Sequence, residues 1–276
     1  MNNKTPNSCT NLNKAILRIA DSESRFVDIR ATMANVIVAQ MLPGCVVKGG
    51  SQLRLRFGPL ASRVTMDLDA ARKIDLDSFI TLFRMAMAEG WSDFTGDLIV
   101  RPQASPKGIP FEYVMQPFDV KLRYKGRPWC TILVEVGHNE IGDADEADIV
   151  PLPDEIKNVF VGLGFPEPSP VPLMPLRFQI AQKLHGLSAI GSDRVRDVID
   201  LQLIMRTGIG IAEIRPACER LFTYRRCQTW PPVVAKGNGW DMLYDSLRRN
   251  LPVLQTMDEA IVWVNDLIAA ICSAGV

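Results

Sequence analysis

Apolar positions at helical spacing mark the first clear element: Phe26, Ile29, Met33, Val36, Ile37 and Met41 recur at three- and four-residue steps until Pro43-Gly44. This spacing predicts an amphipathic helix over 24–42. From Val46 the period changes to two. Leu53, Leu55 and Phe57 alternate with Gln52, Arg54 and Arg56, and after Gly58-Pro59 a second alternation occupies 63–69. Two strands are expected there, the second showing Arg63, Thr65, Asp67 and Asp69 on one face. Residues 78–89 return to helical spacing, with Phe79, Leu82, Phe83 and Met87 as the stripe and Gly90 as the stop. Short β-type runs follow at 98–101, 118–124 and 131–136, the last two flanking Lys125-Gly126 as a hairpin turn. An acidic loop over 142–148 closes this half.

Between 162 and 175 the chain is so dense in Pro and Gly that neither a helix nor a central strand is expected to persist. The domain boundary is placed here, giving a first domain over 1–165 and a second over 172–276. The second reads as helical, at 176–187, 193–205, 211–222, 239–249 and 257–273. No internal repeat is visible.

Composition narrows the chemistry. The 276 residues carry 31 basic and 31 acidic side chains, which excludes a histone-like basic chain or an acidic solvating tail, so nucleic-acid contact must be local. Six cysteines without a C-x-x-C pair read as reduced thiols rather than as a zinc or disulfide framework. The polar stretch 1–13 lacks an apolar core of the signal-peptide kind, and the longest apolar run, 36–47, is interrupted by Gln40, Pro43 and Gly44. A cytoplasmic protein without membrane contact is expected. With His138 and His185 as the only histidines, catalysis must rest on carboxylates, Lys and Arg.

The densest cluster of informative residues is Lys48-Gly49-Gly50-Ser51 followed by Arg63-x-Thr65-x-Asp67-x-Asp69. On a strand, residues two apart point the same way about 6–7 Å apart, so Asp67 and Asp69 offer two carboxylates to one small volume. Such a pair suits Mg²⁺, which takes one or two carboxylates together with phosphate oxygens. A Gly-Gly-Ser turn exposes backbone N–H groups to a phosphate, and Lys48 and Arg63 add positive charge. Together these residues describe a metal and nucleoside-triphosphate site. A surface strand alternating charges for solvation, with a simple turn before it, is the other account of the same residues.

The segments K-G-G-S-Q-L at 48–53 and R-V-T-M-D-L-D at 63–69 resemble the AbiEii/AbiGii-type nucleotidyltransferase toxins of the polymerase-β-like superfamily. The resemblance returns in A-Q-K-L-H-G-L at 181–187 and R-V-R-D-V-I-D-L at 194–201. It implies an α+β architecture: a minimal nucleotidyltransferase fold, with a mixed sheet flanked by helices, then a helical domain, with the active site in the cleft between them. It implies two-metal transfer of a nucleoside monophosphate from an NTP, with Asp67 and Asp69 as Mg²⁺ ligands. Glu135, at the end of the hairpin's second strand, is the candidate third ligand, with Asp119 the runner-up. For either acid, a cross-strand ion pair with Lys121 or Arg123 is the competing account. Lys48, Gly49, Gly50, Ser51, Arg63 and Thr65 fall on the nucleotide-binding side.

Lys183 lies on the border of the stripe Leu176, Ile180, Leu184 and Leu187, where a lysine ordinarily snorkels to water; the resemblance implies that it reaches the triphosphate. Asp193, Asp197 and Asp200 follow i, i+4, i+7 spacing. They either complement the helix dipole and pair with Arg196, or they orient Lys183 or the attacking hydroxyl. The resemblance further implies the 3′ end of tRNA as acceptor, growth arrest as consequence and a cognate antitoxin as partner. A protein hydroxyl as acceptor, or a silent module that binds RNA or a partner, are the alternatives. Thr223 to Arg226 with Trp230 and Lys236 reads either as an RNA-contacting patch or as a solvated loop.

Overall fold

A computed structural model describes residues 4–104 and 114–274. The chain divides into two compact units, and the division is not a single cut. One unit comprises 1–59, 64–139 and 144–173; the other takes the short segments 60–63 and 140–143 together with 174–276.

The first unit is built on a mixed sheet of seven strands among the described residues: β1 (Cys45–Lys48), β2 (Leu68–Arg72), β3 (Phe94–Val100), β4 (Gln116–Tyr124), β5 (Arg127–His138), β6 (Asp148–Val150) and β7 (Val171–Leu173), in the order β3-β4-β5-β2-β1-β7-β6. Helices α1 (Cys9–Ala20), α2 (Glu23–Ala39), α3 (Gly49–Phe57), α4 (Leu76–Glu89) and α5 (Asp154–Gly162) belong to the same unit. Leu68, Ala70, Val134 and Val136 join Leu12, Ile37, Phe79, Phe83 and Phe160 in one buried core. Strand alternation therefore turns Asp69 and Glu135 to the other face of the sheet. The β4–β5 hairpin turns at Lys125-Gly126, both at positive φ (48° and 73°), the signature of a type I′ turn.

Two expectations are corrected here. Residues 53–57 form no strand: they are the end of α3, a nine-residue helix in which even Arg54 is buried and paired with Asp28. A helix covered on nearly all sides has no 3.6-residue stripe, and its Arg-Leu alternation imitates a period of two. The Pro-rich stretch does supply a strand, since β7 lies between β1 and β6 with Pro172 at its centre. It is three residues long and pairs with β1 only at Val47↔Leu173. A proline fits because so little ladder depends on it.

The second unit is helical: α6 (Leu176–Leu187), α7 (Val195–Met205), α8 (Ile211–Arg225), α9 (Trp240–Leu247) and α10 (Met257–Ser273). Ile180, Leu184, Val198, Leu201, Leu221 and Val264 are buried. A Thr256–Glu259 capping box starts α10. Mixed sheet with helices, then helices, is the α+β class that the pattern predicts. No described helix is long and apolar enough to cross a membrane, and all six cysteines are free.

Candidate active site

Two strand pairings, one antiparallel and one parallel, set the first site. Lys48 on β1 stands opposite Asp69 on β2, and Asp69 stands opposite Glu135 on the parallel strand β5. Side chains opposite one another share a face, so one row across the sheet reads Lys-Asp-Glu. Asp67 precedes β2 and joins this row: Asp67, Asp69 and Glu135, all half-buried, each present a carboxylate oxygen within 4.8 Å of the others. Asp119, instead, pairs with Arg101 at 3.5 Å, and Arg123 with Asp97.

The strand argument for Asp67 needs revision. Only 68–72 is strand, and 63–66 is irregular backbone. Asp67 is held by side chains. The Thr65 hydroxyl donates to its Oδ1 at 2.7 Å, and the Ser51 hydroxyl and the Asn35 amide donate to its carbonyl at 2.6 and 3.3 Å. Ser51 and Thr65, both buried, thus orient a carboxylate. Asn35, on the long helix α2, has no local sequence signal for such a role.

Gly49 and Gly50 open α3, whose N-cap Lys48 makes no side-chain cap hydrogen bond, so the glycine-rich turn stands at a helix N-terminus, the end of the helix dipole that favours anions. Gly49 sits at φ +67°, and a Cβ built on it would lie 2.0 Å from Asp69 Oδ2. The carboxylate therefore occupies the space that any other residue's side chain needs. The Lys48 side chain is 7% exposed, and its ammonium lies 3.1 Å from where a Cβ on Gly137 would stand. Gly137 is a second glycine whose missing side chain the site uses.

Fit to a metal rests on the donor set. Three carboxylates, with no histidine or cysteine among them, are hard oxygen donors, and a 4.8 Å spread matches the roughly 4–5 Å breadth of one coordination sphere. The residues suit Mg²⁺.

The remaining expected residues lie in the helical unit, Arg63 included. Lys183 does not snorkel: its ammonium is buried and donates to Asp197 Oδ1 at 2.8 Å and Asp200 Oδ2 at 2.7 Å. Arg63 meets Asp200 with both prongs of its guanidinium, at 2.9 and 3.0 Å. Burial opposes charge on Lys183, yet Asp197 and Asp200 outweigh it and raise its pKa. For Asp200 burial likewise opposes the charge, and Lys183 and Arg63 outweigh it and lower its pKa. Two cations and two carboxylates thus form a neutral buried set. The expected acidic face is not intact, because Asp193 precedes α7 and is exposed, and Arg196 points to solvent.

The basic-aromatic segment makes contacts within its own unit, while Thr223, Tyr224 and Arg226 are exposed. Arg225 forms a two-pronged pair with Glu140, Trp230 packs on Phe222, and Lys236 pairs with Asp241 and Asp258. His185 also packs on Phe222, and burial, reinforced by Arg225, pushes its pKa down to about 4, so it is neutral near pH 7.

Compared with known proteins, the chain matches the family described as nucleotidyl transferase AbiEii toxin, Type IV TA system, over residues 33–260. None of the curated proteins compared with it matches. Among solved structures it is similar in fold to MenT4, a nucleotidyltransferase toxin of Mycobacterium tuberculosis H37Rv, with a TM-score of 0.61 and 18% identity over 95% of this chain and 89% of that one. JHP933 from Helicobacter pylori aligns more loosely, with a TM-score of 0.43 and 12% identity over 87% of this chain and 88% of that one.

Proposed function

Because the chain belongs to the AbiEii nucleotidyltransferase toxin family of type IV toxin–antitoxin systems, we propose that it transfers a nucleoside monophosphate from an NTP to a hydroxyl of RNA. The 3′ end of tRNA is the first acceptor to test. The observation that carries this reading is the convergence of Asp67, Asp69 and Glu135 beside the glycine-rich start of α3. These carboxylates would hold Mg²⁺, as a two-metal mechanism requires. When bound, Mg²⁺ supplies charge neutralisation for the triphosphate and acidifies an acceptor hydroxyl.

The chain's own groups do the rest. N–H groups of the first turn of α3 hold phosphate oxygens, and Lys48 offsets their charge from the neighbouring strand. Thr65 and Ser51 fix the carboxylate and backbone of Asp67, so the ligands are arranged before substrate arrives. Arg63 and Lys183, whose charges Asp197 and Asp200 already balance, act by support rather than as free cations. The product arrests growth in the cytoplasm, and an antitoxin partner opposes it.

The test is incubation of purified protein and Mg²⁺ with each α-labelled NTP, in turn with tRNA, total RNA and protein. Label on RNA is expected. Label on protein alone moves the acceptor to a protein hydroxyl, and no label under any combination leaves a silent binding module and refutes the enzyme.

A further inference from the structure

Two short segments of the chain belong to the helical unit although their neighbours belong to the sheet unit: 60–63 and 140–143. Each adjoins a carboxylate of the candidate metal site in sequence. Arg63 comes four residues before Asp67, and Glu140 five after Glu135. Both are held by two-pronged Arg–carboxylate pairs, Arg63 on Asp200 and Arg225 on Glu140. The second segment is gripped further, by Gln182 on Asp143 at 2.6 Å and by Arg220 on the Ile141 carbonyl.

Residues 63–66 form neither helix nor strand. No ladder fixes their backbone, so side-chain anchors must. At one end Ser51, Thr65 and Asn35 hold Asp67; at the other, Arg63 is locked to a fully buried Asp200 whose second oxygen also takes Lys183. A planar guanidinium on a buried carboxylate admits essentially one geometry.

We infer that Arg63 is a positioning residue for the metal site: clamped by the Asp200–Lys183 pair, it fixes the segment that delivers Asp67 to Asp69 and Glu135. Lys183 and Asp200 then act on the reaction through Arg63. This inference rests on the reading of Asp67 as a metal ligand.

The test titrates Mn²⁺ into the full chain without nucleotide, following free Mn²⁺ by electron paramagnetic resonance well below each variant's melting temperature. Loss of global stability alone does not move this readout. The parent binds Mn²⁺; Arg63→Lys, which keeps the charge and loses the fork, weakens binding on the order of 10–100-fold, the scale of losing an orienting partner. Asp200→Asn does the same where it folds. Arg194→Ala, exposed and touching Asp197 at 3.5 Å, leaves the affinity unchanged. A folded Arg63→Lys protein with Mn²⁺ affinity within twofold of the parent overturns the inference while the metal site stands. A parent that binds no Mn²⁺ overturns the metal-site reading and this inference with it.

Discussion

Replacing Gly49 with alanine tests the candidate metal site without touching any proposed ligand. Two costs follow from its geometry. Its φ of +67° is left-handed, where a Cβ costs roughly 1–2 kcal/mol. The added methyl also falls 2.0 Å from Asp69 Oδ2, 2.9 Å from Cγ and 3.0 Å from Cβ. The last contact involves the root of the side chain, so Asp69 must swing away rather than adjust at its tip. The variant is expected to stay folded, losing about 1–2 kcal/mol without metal, partly offset because separating like charges relieves repulsion.

The metal-dependent term should nearly vanish. A ligand at 100 times its Kd stabilises a protein by about 2.7 kcal/mol; if Kd rises 100-fold, the same concentration yields about 0.4 kcal/mol. Thermal melts of parent and Gly49→Ala, each with and without saturating Mn²⁺ or Mg²⁺, measure both quantities. Equal metal-dependent stabilisation in the two proteins would refute the claim that Asp69 binds metal from its place against Gly49.

Three further outcomes are expected. Asp69→Ala abolishes transfer but melts, in the absence of metal, at or above the parent's temperature, because like charges within 4.8 Å of one another repel by about 1–3 kcal/mol or more at an effective dielectric constant between ~20 and ~80; a large drop in apo stability would mark the carboxylate as structural. Lys183→Ala leaves Asp197 and Asp200 in a buried set short of one cation and costs about 3–5 kcal/mol in denaturant melts; a loss below about 1 kcal/mol would contradict the network. His185 has a folded pKa of about 4 against 6.5, so the unfolded chain binds its proton first and stability falls as pH drops from about 6.5 to about 4, by about 2–3 kcal/mol. His185→Gln should flatten that part of the pH–stability curve; an unchanged slope would exclude His185 as its source.

Much of this site was legible in the sequence, though not always for the reason given. Asp67 and Asp69 were paired by strand periodicity, but β2 begins only at Leu68 and Asp67 owes its direction to Thr65, Ser51 and Asn35. Glu135 was placed by family pattern; what brings it to Asp69 is parallel pairing of β2 with β5, a contact across 66 residues that no local window contains. The helices α6 and α10 were placed with their observed bounds. Helix α3, covered on almost every side, has no stripe, and β6 and β7 are three residues each; α1 does carry a stripe, Leu12, Ile16 and Ala20 at four-residue steps, but it begins inside the stretch 1–13 that reads as polar. Lys183 illustrates the limit most sharply: helix geometry located it on a border, but its partners lie 14 and 17 residues on, in another helix.

That network also changes what a Lys183 substitution can mean. Loss of transfer in Lys183→Ala follows equally from a missing phosphate contact and from a buried acidic pair that no longer holds Arg63 in place. Restoring neutrality separates the two. Lys183→Met combined with Asp197→Asn leaves Arg63 facing Asp200, one cation against one carboxylate, and removes the uncompensated charge that makes the single variant costly. If Lys183 acts only by support, this double variant recovers most of the stability, the Mn²⁺ affinity and the transfer rate. Recovery of stability and Mn²⁺ affinity with transfer still down a hundredfold or more, the scale of a charge contact in a desolvated site, would instead place the ammonium on the triphosphate.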